Sequence, residues 1–250
     1  MFWWAKFRKA KGGVKLHTLF DITTQIPAFI HITAATVNDM NAMDVIPYEP
    51  QAYYIFDRGY VDYQRLYHIT QCQAFFVVRA KSNLKFRRMY SNKVDKSTGV
   101  LCDQLGKLTG FYVSKEYPEK LRRVKFYDQQ THRTFVFLTN NMELSAPEIA
   151  LLYKNRWQVE LFFKWIKQNL KIKTFLGTSH NAVLTQIWIA LCVYLLLAFL
   201  KFKARLGISM QQMLRLLQLN LFERRNLIEL FKPPDSQSLD CRQFLLFSKL

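Results

Sequence analysis

The order of segments predicts an α/β fold built on a sheet of mixed strand direction. Two short apolar runs, residues 52–56 and 74–79, have the length and unbroken apolar character of buried strands. Between them lie the turn Asp57-Arg58-Gly59-Tyr60 and a helix over about 62–72, so strand, helix and strand follow closely. Ahead of them, runs at 14–21 and 27–34 form an antiparallel hairpin, and behind them a long helix begins at Ser145.

Taken in order, residues 1–11 are aromatic and basic, and read as the middle of a pattern. Lys6, Arg8, Lys9 and Lys11 follow too closely on Met1-Phe-Trp-Trp for a secretory signal. Gly12-Gly13 signals a turn, 14–21 alternates as a strand, and 22–25 reverses the chain into 27–34. A short helix over 37–45 follows, capped by Thr36 or Asn38. Residues 81–144 change character: short β-like runs at 110–114, 121–127 and 134–138 are punctuated by Gly99, Gly106 and Gly110. They read as a strand-rich insertion between the last core strand and the long helix.

In that helix, spanning 145–171, Ser145 is the N-cap, with Pro147 and Glu148 in the first turn. A basic loop leads into 182–202, which is nearly apolar and long enough to cross a membrane. Thr185, Gln186 and Tyr194 interrupt it, and a core helix packed on the sheet is the preferred reading. One or two amphipathic helices fill 208–231, and Pro233-Pro234 opens an irregular tail. The expected division is 1–80 and 145–202 for the two parts of the core, 81–144 for the insertion and 203–250 for a helical tail.

Half of the 250 residues are hydrophobic, which fits a packed globular protein. Lys and Arg number 36 against 18 Asp and Glu, a formal charge of +18 that points to nucleic acid or anionic lipid as partner. The insertion is then either a solubilising excursion or a DNA-contacting surface through Lys85, Arg87, Arg88, Lys120, Arg122, Arg123 and Lys125. Cys72, Cys102, Cys192 and Cys241 form no C-x-x-C pair and read as reduced thiols of a cytoplasmic protein.

At roughly 100° per residue, Tyr153, Arg156, Glu160, Lys164, Lys167 and Lys171 share one narrow arc of the long helix. The rest of the circumference between 159 and 166 is apolar, and Trp157 is assigned to the core. The stripe is either a solvated face with Glu160 pairing to Lys164 and Lys167, or a carboxylate facing a polyanion and a divalent metal. Arg156, Lys164, Lys167 and Lys171 either track phosphates or only balance Glu160.

Tyr153-x2-Arg156-x3-Glu160-x6-Lys167 resembles the Y-x2-R-x3-E-x6-K motif of bacterial insertion-sequence transposases with a DDE ribonuclease H-like core. Asp57-Arg58-Gly59-Tyr60 is similar to the element around that family's second catalytic Asp, and residues 11–17 to the strand after its first. The resemblance implies a ribonuclease H-like mixed sheet flanked by helices, with a β-rich insertion before the last catalytic helix. It implies Asp57 and Glu160 as ligands of two Mg²⁺ (or Mn²⁺) ions, roughly 3.5–4 Å apart, for in-line displacement at phosphorus. Tyr153, Arg156, Lys164, Lys167, Lys15 and Arg58 are the expected contacts to double-stranded transposon-end and target DNA. A homodimer in the DNA complex, a nucleoid-associated cytoplasmic location and no membrane partner go with it. The family's first Asp lies on a strand upstream of the hairpin, so an N-terminally shortened transposase is expected; Asp21 and Asp39 are the nearest substitutes, read as a turn residue and a helix-start acid. His17 is the histidine placed nearest the site.

Overall fold

A computed structural model of the chain describes residues 6–7, 11–170, 172 and 174–231. Lys171, Cys241 and the tail from Pro233 lie outside the described residues. Two compact units divide it. One comprises the described residues up to Trp165 with Leu176–Ala182; the other comprises Ile166–Phe175 and the described residues from Val183 onward.

In the first unit, β1 (Lys6–Phe7) pairs antiparallel with β2 (Lys11–Gly12). Strands β3 (Val14–Asp21) and β4 (Ile26–Ala34) form the expected hairpin, with Asp21 closing its turn by accepting from the Thr23 amide at 2.8 Å and the Thr24 hydroxyl. A 3₁₀ segment, Asp39–Val45, starts on an Asn38 cap. Then come β5 (Tyr53–Phe56), a 3₁₀ turn at Arg58–Tyr60, α1 (Tyr63–Gln71) capped by Asp62, and β6 (Phe75–Arg79).

Strands β7 (Phe86–Asn92), β8 (Val100–Leu108), β9 (Leu121–Asp128) and β10 (Arg133–Thr139) follow, with a one-turn helix α2 (Val113–Glu116) between β8 and β9. All four join the sheet of β5 and β6, in the order β5-β6-β10-β9-β8-β7. Only β5 and β6 run parallel; the other pairs are antiparallel, so the sheet is mixed. The α/β architecture with flanking helices is consistent with a ribonuclease H-like transposase core.

Strand alternation distributes β6 to both faces. Phe76 and Val78 bury against Leu66 and Ile69 of α1, while Val77 joins Phe137 and Val124 against Ile149 and Ala150 of α3 (Ala146–Lys154). Each fully buried aliphatic or Phe side chain contributes about 1.5–3 kcal/mol. Ser145 caps α3 in a reciprocal box with Glu148.

Four expectations need correction. The hairpin is a two-stranded sheet of its own, not part of the main sheet, although residues of β3 and β5 line one cleft. Residues 110–114 are a turn and the start of α2, whereas β8 was masked by Gly106. That glycine is required by close approach: a Cβ there would lie 2.2 Å from the Arg87 carbonyl oxygen. The long helix is two helices, α3 and α4 (Trp157–Asn169), joined by a tighter turn. Arg156 donates to the Tyr153 carbonyl, Gln158 to Asn155 and Val159 to Arg156, all three residues back, at 3.0–3.2 Å. Such a step advances about 120° per residue in place of 100°, re-phasing α4 by roughly 60°. Trp157 is accordingly 57% exposed instead of core, and Leu161 is exposed too. Finally, Arg122 is no surface cation; it is 4% exposed and ion-paired with Asp103.

The second unit holds most of α5 (His180–Lys203), with α6 (Met210–Leu219) and α7 (Leu227–Leu230). The sheet belongs to the other unit. By length and composition α5 is the one helix among the described residues able to cross a membrane.

Candidate active site

Strands β5 and β6 end at the same edge of the sheet because they run parallel. Chain and sheet thereby bring Asp57, just past β5, beside Arg79, the last residue of β6. Asp57 is in an extended conformation and caps the next turn, its Oδ1 accepting from the Arg58 amide at 2.7 Å. The same oxygen accepts from the Tyr153 hydroxyl at 3.0 Å. Tyr153 closes α3, with its ring against Phe135 and Phe137.

Arg156 sits in the turn between α3 and α4, and its Nη2 donates to Glu160 Oε1 at 2.7 Å. Its charge also reaches Asp57. One guanidinium therefore links the two carboxylates proposed from the sequence. Its Nε is buried with no acceptor among the described residues. Burial pushes the Asp57 carboxyl up, but the Arg58 amide, Arg156, the Tyr153 hydroxyl and Arg79 together hold it below the ordinary carboxylate value. Burial and the Asp57 charge push the Tyr153 hydroxyl up to about 12, so it remains a donor.

The remaining expected residues divide. Arg58 is exposed beside Asp57, and Lys164 is exposed on α4. Lys167 is exposed but falls in the second unit. Lys15 is committed elsewhere, to Asp39 at 3.0 Å and the Val37 carbonyl at 2.8 Å. His17 lines the cleft that also includes Asp57 and Arg156, with its Nε2 2.9 Å from the Thr33 hydroxyl. Arg79 went unrecognised in the sequence. The signal was there, since a cation closing the strand next after Asp57's strand must come to the same sheet edge.

A family model described as a transposase DDE domain matches residues 2–196. The chain belongs to the DDE transposase family. It is 41% identical over 240 residues to a Sinorhizobium fredii protein named as a transposase, covering 92% of this chain and 65% of that one. A transposase-named protein of Geobacillus stearothermophilus, assigned to insertion sequence element IS5377, is 30% identical over 79% of this chain and 52% of its own length. A third, from Synechocystis and named for insertion sequence element IS4SA, is 26% identical over 84% of this chain and 60% of its own. The chain thus spans between about half and two-thirds of the relatives it matches.

DDE transposases use divalent metal, and the residues fit it in donor type. Asp57 Oδ2 and Glu160 Oε2 accept no hydrogen bond from the described residues, and Mg²⁺ takes hard carboxylate oxygens. Among the described residues, no cluster of three His, Cys, Asp or Glu side chains could hold a metal ion.

Proposed function

We propose that this chain binds double-stranded DNA at insertion-sequence ends and cuts and joins strands there by Mg²⁺-dependent phosphoryl transfer. Asp57 and Glu160 are the metal carboxylates; Tyr153, Arg156, Arg58 and Lys164 meet the DNA, and Lys167, in the second unit, is a further proposed DNA contact. Lys15 reaches DNA only by leaving Asp39. The supporting observation is Arg156, a guanidinium bonded to one carboxylate, electrostatically coupled to the other, and holding a buried Nε–H with no acceptor among the described residues. An orphan donor of this kind costs about 1–3 kcal/mol, and a phosphate oxygen would satisfy it. Bound Mg²⁺ would neutralise phosphate charge and polarise the attacking oxygen. The Tyr153 hydroxyl and the Arg58 amide meanwhile fix Asp57's orientation and keep it ionised at neutral pH. Two copies on paired ends, in the bacterial cytoplasm at the nucleoid, complete the reading.

A second reading is favoured by the absence, among the described residues, of a cluster of three metal-ligating side chains: without a third ligand, the chain would bind DNA without cutting it. Supercoiled plasmid carrying the element's ends, incubated with Mg²⁺ or EDTA, separates them. The expected result is Mg²⁺-dependent nicking, reduced at least about a hundredfold by Glu160→Gln with DNA affinity kept within about twofold. Undiminished nicking by that variant removes Glu160 from the mechanism. Binding by the unaltered chain with no nicking establishes the second reading.

A further inference from the structure

Beside the carboxylates, at the same end of β6, is a second concavity. Arg58, Arg79, Lys81 and Arg123 line it, with the hydroxyl residues Ser82 and Thr134. Among the described residues its lining includes no acid. Several buried or half-buried cations elsewhere are ion-paired: Lys15 with Asp39, Arg65 with Asp44 and Asp62, Arg122 with Asp103, Arg156 with Glu160. In this pocket Arg79 and Arg123 are half-buried, and Arg58 and Lys81 are exposed. Among the described residues, none of the four cations in this pocket has an ion-pair partner within 4.0 Å.

The few bonds these cations make leave donors unused. Lys81 Nζ donates to the Val61 carbonyl at 3.0 Å, which occupies one of its three N–H groups. Arg123 Nη1 donates to Gln104 Oε1 at 2.8 Å, but Arg123 Nε is buried with no acceptor among the described residues. An ordered water or a ligand oxygen would satisfy such a donor. Arg79 lies 5.0 Å over the Phe135 ring, and its charge is felt by Asp57 and Tyr153. Arg58 follows Asp57 directly. These two arginines bring the pocket's positive charge up to Asp57.

A donor-only lining of guanidinium, ammonium and hydroxyl groups suits the oxygens of a phosphate group, and the excess of positive charge suits one that belongs to a polyanion. We propose that this pocket is a second phosphate site, which grips the backbone of the bound DNA strand a short way from the phosphate at Asp57 and Glu160. The proposal rests on the reading that the chain acts on DNA. Two grips on one strand would set its direction past the carboxylates, which in-line displacement requires.

The test is fluorescence anisotropy of the full chain with a labelled duplex across a KCl series. EDTA is present throughout, so binding is independent of metal. Lys81→Gln with Arg123→Gln should weaken binding roughly tenfold or more and reduce the salt slope by about two. Exposed Arg58→Gln guards against misfolding of the double variant and should lower the slope by about one. Lys93→Gln with Lys96→Gln removes equal charge at exposed positions on the β7–β8 connection, and should have little effect. An unchanged slope in both pocket variants, or equal weakening by the control, overturns the proposal.

If the unaltered chain binds no DNA, the functional reading fails on its own, and thermal shift with inorganic pyrophosphate then decides the pocket. Stabilisation lost in the pocket variants would show a site for free phosphates, overturning the DNA assignment. No stabilisation would overturn the site itself.

Discussion

At the scale of single residues, a run that looks exposed in the sequence hides a buried cation. Arg122 falls in a run with Arg123 and Lys125, yet it lies inside the sheet with both guanidinium edges used. Its Nε and Nη2 donate to the two Asp103 oxygens at 2.8 Å each, and Nη1 donates to the Leu144 carbonyl. Asn92 adds a further bond to Asp103 at 2.9 Å. Removing one partner of such a pair leaves a buried charge uncompensated, while removing both does not. Asp103→Asn should therefore lower unfolding free energy by about 3–5 kcal/mol in urea titrations, whereas Asp103→Leu with Arg122→Met should lie much closer to wild type. Equal losses in both would mean that side-chain packing, not charge pairing, sets the cost. No periodicity reveals this pair, because its members are brought together by the register of β8 against β9. Asp57 was legible for the opposite reason: it stands where an apolar run stops, so chain order alone places it at a strand end.

At the scale of elements, signals local in sequence were readable and contacts made across strands were not. Ser145, Pro147 and Glu148 marked the start of α3 because a capping box is built from residues three apart. The turn at Asn155–Arg156 had no such signature, since neither Gly nor Pro marks it, and the shared helical arc of Tyr153 to Lys167 was drawn through it. Its consequence is functional: Tyr153 reaches Asp57 from the end of one helix, and Arg156 and Glu160 pair at the start of the next. Strand β8 was missed because glycine depletes strand propensity. Here Gly106 allows the Arg87 backbone and the Phe86 ring to come close. Gly106→Ala should push β7 off the sheet, at a cost of about 1–3 kcal/mol. Because β7 is the outermost strand, the loss should appear as faster amide exchange in β7, with β6 and β10 still protected. Uniformly faster exchange would show that the sheet opens as one unit.

At the scale of the whole molecule, the +18 charge was the earliest functional clue and the least specific one. It fits DNA or an anionic membrane equally, and α5 keeps the second possibility physically open. Counterion release separates them. Among the described residues, the candidate phosphate contacts of the first unit whose charge no ion pair balances are Arg58, Arg79, Lys81, Arg123 and Lys164, because Lys15 is held by Asp39, Arg122 by Asp103 and Arg156 by Glu160. About five contacts to duplex DNA predict a slope of log affinity against log salt near −4.5, or a roughly 500-fold loss between 50 and 200 mM KCl. Insertion of α5 into a bilayer would instead be driven by apolar transfer, which salt does not weaken. DNA binding by the full chain should therefore vanish at high salt, and flotation with vesicles of anionic lipid should vanish with it. A slope shallower than about −2 would mean that the surplus charge is not organised along a DNA path. Flotation persisting at 1 M KCl would place α5 in the membrane, and the basic face would then serve to hold the chain against lipid headgroups.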